Sequence, residues 1–214
     1  MDKAVVKLKP VALPLWKRIF DKIFSFSILL MLFPFFLLIA TLIKLTSKGP
    51  VFYKQKRIGY KGKYFYLYKF RTMVINADEV LESVLRENPK MREEFLTLNK
   101  LTHDPRITKI GKILRKTSLD ELPQFINVLK GDMSIIGPRP ITNRDIYIYL
   151  TNLDYITKLP PGLTGLWQVS GRNDLPIEER VKLDRYYVDH LSFPLDLKIL
   201  FKTLFVIVKG TGAY

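Results

Sequence analysis

From Ile23 to Ile43 the chain carries no charged residue over 21 positions, enough for a helix to reach across the hydrocarbon core of a bilayer. Pro34 stands near its middle, where proline deletes a helix hydrogen bond and promotes a kink. Both flanks are basic: Lys3, Lys7, Lys9, Lys17, Arg18 and Lys22 precede the run, and Lys44, Lys48, Lys54, Lys56, Arg57, Lys61 and Lys63 follow it before the first acid, Asp78. Positive residues mark the cytoplasmic side, so a straight span would strand one cluster outside. A helix that dips in, breaks at Pro34 and returns satisfies both flanks, whereas a plain kinked span remains the simpler reading. The run is too long, and too poor in small residues at its end, for a cleaved secretory signal.

Beyond it the apolar pattern changes period. Residues 51–57 and 63–73 are rich in aromatic and β-branched side chains, with Gly59-Tyr60-Lys61-Gly62 between them, and predict a β-hairpin. Asn76, with Glu79 three residues on, opens a helix through Val80, Leu81, Val84 and Leu85; Pro89 opens another through Met91, Phe95 and Leu98. A stripe of Ile107, Ile110, Ile113 and Leu114 predicts a further helix, and Pro123 starts one that runs through Phe125 and Val128 to a stop at Gly131. Residues 147–155 are aromatic and ambiguous. Residues 160–172 read as a turn, a short strand and a glycine-flanked arginine; Asn173 or Asp174 then caps a helix carrying Ile177, Val181, Tyr187, Val188 and Leu191. The tail, residues 195–208, is apolar but holds Lys198 and Lys202 one turn apart, which suits an amphipathic helix lying in a membrane interface; a buried core helix is the alternative. The expected fold is α+β and mostly helical: a basic segment (1–22), a proline-kinked re-entrant membrane helix (23–43), and a compact domain (44–214) with a small β-hairpin and interfacial helices.

Composition narrows the partners. The 214 residues include no cysteine and two histidines, which excludes disulfides and thiolate zinc sites, so any metal is a hard, oxygen-liganded ion. A formal charge of +15 calls for an anionic partner, whether nucleic acid, anionic lipid or a phosphorylated substrate.

Against that charge, Asp120 and Glu121 stand together in Lys116-Thr117-Ser118-Leu119-Asp120-Glu121-Leu122-Pro123. Ser118 and Glu121 fit a capping box, a purely structural role, but Pro123 would then fall inside the helix. With Pro123 as the first helical residue, the carboxylates lie at a helix start, where the ionised form needed by a nucleophile or metal ligand is favoured. Arg139, bracketed by Pro138 and Pro140, is held on a stiff backbone; Arg172 follows Gly171, which permits close approach to a ligand. Rigid turns would look the same. Lys69 and Arg71 bring two cations to a strand end, or form an ordinary solvated edge.

Five motifs in order now resemble the bacterial sugar transferases, the monotopic polyprenyl-phosphate sugar-1-phosphate transferases: Tyr68-Lys69-Phe70-Arg71-Thr72-Met73; Asp104-Pro105-Arg106-Ile107-Thr108; Arg115 to Gln124; Gly131 to Pro140; and Pro161 to Arg172. The likeness runs from about Lys17 to Gly212-Ala213-Tyr214. It implies that Asp120 attacks the sugar-proximal phosphorus of a UDP-sugar and expels UMP, and that undecaprenyl phosphate then takes the phosphosugar. It implies also that Glu121 helps hold a magnesium ion, and that Lys69, Arg71, Arg115, Arg139 and Arg172 serve the phosphates or the framework around them. The helical insertion at 76–100 and the Gly-Ala-Tyr ending look like the longer, hexose-1-phosphate-transferring members, which leans the donor toward UDP-galactose or UDP-glucose. Phe33 departs from the serine that some small members place before the helix-breaking proline. The resemblance implies work on the cytoplasmic face of the bacterial inner membrane, in contact with membrane lipid and without nucleic acid as a specific partner, in the first step of exopolysaccharide, O-antigen or capsule synthesis. Homo-oligomerisation is left open. Two rival readings explain part of the pattern: a membrane-bound magnesium-dependent phosphatase, and a membrane-tethered basic protein that binds anionic lipid or nucleic acid without chemistry.

Overall fold

The computed structural model describes residues 11–98, 100–142, 146–149, 152–171 and 175–209. In chain order these form α1 (Leu15–Met31), α2 (Phe33–Thr46), β1 (Phe52–Ile58), β2 (Tyr64–Phe70), α3 (Ala77–Glu87), α4 (Pro89–Leu98), α5 (Lys109–Lys116), α6 (Gln124–Lys130), β3 (Ser134–Ile136), α7 (Ile146–Tyr149), α8 (Leu153–Ile156), β4 (Gly162–Thr164), α9 (Ile177–Asp189) and α10 (Phe193–Lys209), with short 3-10 turns at Tyr60–Gly62, Leu119–Glu121 and Trp167–Val169. Helices dominate, and the sheets are two pairs, β1 with β2 and β3 with β4. The chain divides into two compact units, one of Met1–Phe33, Lys54–Tyr68 and Pro123–Ala213, the other centred on Pro34–Tyr53 and Lys69–Leu122.

The first unit is built around Phe65, Leu67, Val128, Met133, Ile135, Ile136, Leu159, Tyr187 and Ile199. β3 and β4 run parallel, with Ser134 opposite Gly162 and Ile136 opposite Thr164. The Asn127 side chain ties α6 to β2, donating to Tyr66 O and accepting from Tyr68 N, and Gly131 (φ 86°) supplies the left-handed residue that ends α6.

α1 is built inside out. Its polar residues Lys17, Asp21 and Ser25, spaced four apart, are buried, while Leu15, Ile19, Ile23, Phe26 and Leu30 are exposed. Lys17 Nζ lies 2.6 Å from Asp196 Oδ2 on α10, Tyr187 Oη donates to Asp196 Oδ1 at 2.7 Å, and Asp21 Oδ1 accepts from Ile135 N at 3.0 Å. α10 likewise exposes Phe193, Leu197, Phe201, Leu204 and Phe205. Exposed apolar area on this scale marks a surface meant for something other than water.

In the second unit Ile39 and Ile43 of α2 pack with Phe70 and Leu114, flanked by Phe36, Val51, Ile110, Leu119 and Leu122. α5 starts at Thr108, whose hydroxyl accepts from Gly111 N at 3.0 Å. Gly111 has no substitute here, because a Cβ would sit 2.0 Å from Thr72 O. α3 and α4 contain no buried residue.

Several sequence expectations shift. The chain breaks at Leu32, and Pro34 falls in the first turn of α2, where its missing N–H costs nothing and its fixed φ suits the helix. The helix before it begins at Leu15 rather than Ile23, because Lys17 and Asp21 in its first turns face protein, while Arg18 and Lys22 stay exposed. Among the described residues no single helix is long and apolar enough to cross a membrane; α1 and α2 together, bent by 61°, pass by length and composition. The second strand ends at Phe70 instead of Met73: Arg71 turns away, and Met73 pairs with Ile107 in an isolated bridge. The ambiguous stretch holds the two short helices α7 and α8. Asn173 and Asp174, the expected caps of α9, lie outside the described residues.

Candidate active site

The acidic pair sits on a turn whose shape is dictated by its neighbours. α5 ends at Lys116, and Ser118 takes a left-handed conformation (φ 56°) that swings the chain into the 3-10 turn Leu119–Glu121. Ser118 makes no side-chain cap bond, so the capping box does not form. Instead Glu121 N donates to Ser118 O at 3.2 Å and Leu122 N to Leu119 O at 3.3 Å. Leu119 and Leu122 pack on the α2 cluster and fix the turn from below. Pro123 is the residue before α6, one position earlier than the sequence suggested.

That turn leaves Asp120 8% exposed and Glu121 far more open. Lys69, next to last on β2, reaches both: its Nζ is 2.5 Å from Glu121 Oε1 and 3.7 Å from Asp120 Oδ2. Burial pushes the Asp120 carboxyl above its ordinary pKa, and the neighbouring Glu121 charge adds to this; Lys69 and Arg115 pull the other way. The result is a carboxylate kept from water with cations at hand.

Arg115 is anchored by a 3.0 Å bond from Nε to Thr72 Oγ1. The residues around it were only partly legible in sequence. Asp104 receives a forked pair of bonds from Arg106, Nε to Oδ1 at 2.8 Å and Nη2 to Oδ2 at 2.6 Å. Burial raises the Asp104 carboxyl, but Arg106 outweighs it and holds it below the usual range. Val74 N donates to Arg106 O and Thr108 N to Thr72 O, so the Asp-Pro-Arg loop is laced to the segment after β2. The Asp104–Arg106 spacing inside the Asp-Pro-Arg-Ile-Thr motif was the available signal. Arg71, expected among the phosphate ligands, is 6% exposed and donates from Nη2 to Ser47 O at 2.9 Å and from Nη1 to Lys48 O, closing the end of α2.

The structure therefore gathers Asp120, Glu121, Lys69 and Arg115, with Arg71 behind them, in one unit. Arg139 belongs to the other unit. Its guanidinium lies 5.3 Å from the centroid of the buried Trp167 ring, and Arg180 on α9 lies 5.2 Å from the same ring. Asp184, one turn along α9 and fully buried, faces the Arg139 backbone N–H and charge; burial nonetheless holds its carboxyl well above the usual range. Arg172 lies outside the described residues.

Among the described residues there is no cluster of three or more acidic or histidine side chains. Magnesium does not require one: it is commonly held by one or two carboxylates, with water and substrate phosphate oxygens completing its shell. Glu121, the more open of the two carboxylates, offers such a hard-oxygen donor, so the site fits such an ion.

The chain is 44% identical over 198 residues to the exopolysaccharide production protein ExoY of Sinorhizobium fredii, covering 92% of this chain and 88% of that protein. It is 48% identical over 199 residues to the undecaprenyl-phosphate galactose phosphotransferase of Salmonella typhimurium, and 41% over 209 residues to the UDP-glucose:undecaprenyl-phosphate glucose-1-phosphate transferase of Klebsiella pneumoniae. In both of these the match spans 41% of the longer protein, against 92% and 93% of this chain. The family model for bacterial sugar transferases matches residues 13–210, nearly the whole chain, and the chain belongs to that family.

Proposed function

We propose that the protein transfers a sugar 1-phosphate from a UDP-sugar to undecaprenyl phosphate by way of a phosphosugar carried on Asp120, releasing UMP and starting the assembly of an exopolysaccharide or related glycan. The observation that carries this reading is the buried Asp120 carboxylate beside Lys69 and Arg115, on a turn with no capping duty. The names of the Salmonella and Klebsiella relatives, a galactose and a glucose phosphate transferase, support a hexose donor.

In this mechanism an Asp120 oxygen attacks the sugar-bearing phosphorus of the donor. The bond from that phosphorus to the bridging oxygen breaks, and UMP leaves with the electron pair. An oxygen of the lipid phosphate then attacks the same phosphorus and returns the carboxylate. The limited exposure of Asp120 keeps water from competing in the second step. Lys69 and Arg115 offset the repulsion between a carboxylate and a diphosphate and hold Asp120 toward its ionised form. Magnesium, held by Glu121 and the donor phosphates, would neutralise charge on the phosphoryl oxygens. Arg71 acts on the framework, keeping the end of α2 and the start of the 71–74 segment together.

We also propose a place for this chemistry: α1 and α2 enter and leave the cytoplasmic leaflet on the same side, with α10 lying in the interface. The bend at Leu32 and the exposed apolar faces of α1 and α10 support it.

The test is to offer the purified protein a panel of UDP-sugars with undecaprenyl phosphate and magnesium, and to follow UMP and lipid product. UMP together with a polyprenyl diphosphate sugar is expected, with UDP-galactose or UDP-glucose preferred and excess EDTA abolishing turnover. Free sugar phosphate, formed equally well without lipid, would make the protein a hydrolase instead.

A further inference from the structure

α1 and α10, both in the first unit, sort their charges by sign. Each carries one acid, Asp21 on α1 and Asp196 on α10, and both are buried. Among the described residues, the charges that these helices expose are all positive: Arg18 and Lys22 on α1, Lys198 and Lys202 on α10. Each pair is spaced four apart and so forms a row along one side of its helix. At 3.6 residues per turn that row borders the exposed apolar face, made by Leu15, Ile19 and Ile23 on α1 and by Phe201, Leu204 and Phe205 on α10.

The opposite edge of both apolar faces meets an open cleft of about 100 Å³, walled by Trp16, Phe20, Ile136, Phe193, Leu197 and Leu200. Trp16 and Phe193, one from each helix, stand edge to face with ring centroids 5.5 Å apart. Asp196 also lies in the wall, yet the surface that the cleft offers is apolar, because Lys17 Nζ at 2.6 Å and Tyr187 Oη at 2.7 Å occupy that carboxylate. Walls that present no donor or acceptor suit a hydrocarbon chain and not a sugar, a nucleotide or a bare phosphate. A cleft of this size takes a stretch of one chain rather than a whole ligand.

We propose that this face binds an anionic glycerophospholipid, with part of one acyl chain in the cleft and the headgroup phosphate among the exposed basic residues of α1 and α10. Charge complementarity selects an anionic lipid over a neutral one, and the continuity of the cleft with the apolar faces selects a lipid over a soluble anion. The inference rests on the membrane placement of α1 and α10 proposed above, and adds to it a lipid class and a seat.

Trp16 is one of two tryptophans in the chain, and the other, Trp167, is buried. Fluorescence quenching by lipids brominated on their acyl chains therefore reports occupancy of the cleft. Full-length protein would be reconstituted in phosphatidylcholine nanodiscs doped with brominated phosphatidylglycerol or with brominated phosphatidylcholine. The anionic lipid should quench at about fivefold lower mole fraction, the scale of one basic residue at an anionic surface, and Trp16→Phe should lose this component. Arg18→Gln, Lys22→Gln, Lys198→Gln and Lys202→Gln combined should abolish the preference, whereas Arg18→Lys with Lys22→Arg, Lys198→Arg and Lys202→Arg should keep it. Should the glutamine variant unfold, the comparison of the two lipids on wild type decides, since it needs no substitution. Equal quenching by both lipids would overturn the site while leaving the membrane placement intact; quenching by neither would overturn both. Release of quenching by an equimolar short-chain polyprenyl phosphate would give the cleft to the lipid carrier and overturn the phospholipid assignment.

Discussion

Lys69 Nζ stands 3.7 Å from Asp120 Oδ2, so a side chain at the end of β2 supplies the counter-charge for a carboxylate presented 51 positions later on a 3-10 turn. With Glu121 Oε1 only 2.5 Å from the same ammonium, Lys69 bridges the two acids.

Replacing Lys69 by Met should therefore do two things. Turnover should fall about 100-fold or more, the scale of losing a charge aimed at the reacting group. The acid limb of the rate–pH profile should move to higher pH, because Lys69 lowers the Asp120 pKa and its removal lets burial raise it further. A profile that keeps its acid limb in place would detach Lys69 from Asp120.

Arg71 separates a framework role from a ligand role. Its donors to Ser47 O and Lys48 O close the end of α2, and losing these charge-assisted hydrogen bonds costs about 1–3 kcal/mol. Arg71→Ala should lower Tm while the folded fraction keeps its donor KM. A normal Tm with KM raised about tenfold would return Arg71 to the phosphate ligands.

Asp184 gives a pH signature of stability. Burial raises its pKa far above the unfolded value, so the folded chain keeps a proton that the unfolded chain releases. Its contribution is full below the unfolded carboxylate range, near pH 4, and is lost as pH rises toward the folded value. Asp184→Asn cannot ionise, so its Tm should gain on wild type steadily as pH rises above about 4. Parallel curves would mean that Asp184 does not titrate differently in the two states.

The membrane arrangement can be read in intact cells. The chain lacks cysteine, so single cysteines near Lys7 and near Lys48 report the two ends of the α1–α2 pair. Both should resist an impermeant thiol reagent until the membrane is opened. Labelling of the Lys7 site alone from outside would make the pair a true crossing.

Much of this was legible in sequence where local rules act alone. Pro89, Gly131 and the 59–62 turn delimit elements within a residue or two, since caps and turns depend on a few neighbours. The break near Pro34 was legible as an event and misplaced by two residues, because proline suits the first turn of the helix it begins as well as it disrupts the one before. What pattern could not give was partnership at long range. Lys17 and Asp21 read as a basic, poorly patterned segment, and only folding shows them buried against Asp196 and Ile135. Arg71 and Arg115 read alike as cations near a motif; one closes a helix end and the other contributes to the field on Asp120. Arg180 and Asp184 carried no signal in the sequence, and their meeting with Trp167 and Arg139 depends on tertiary contact.

The central claim is that Asp120 carries the phosphosugar. Mass spectrometry of the protein after brief incubation with magnesium and the donor sugar alone, without lipid acceptor, should find a hexose-phosphate adduct on the peptide containing Asp120. It should vanish on adding undecaprenyl phosphate and be absent in Asp120→Asn, which should still fold. An adduct on another residue, or full transfer activity in Asp120→Asn, would contradict the account.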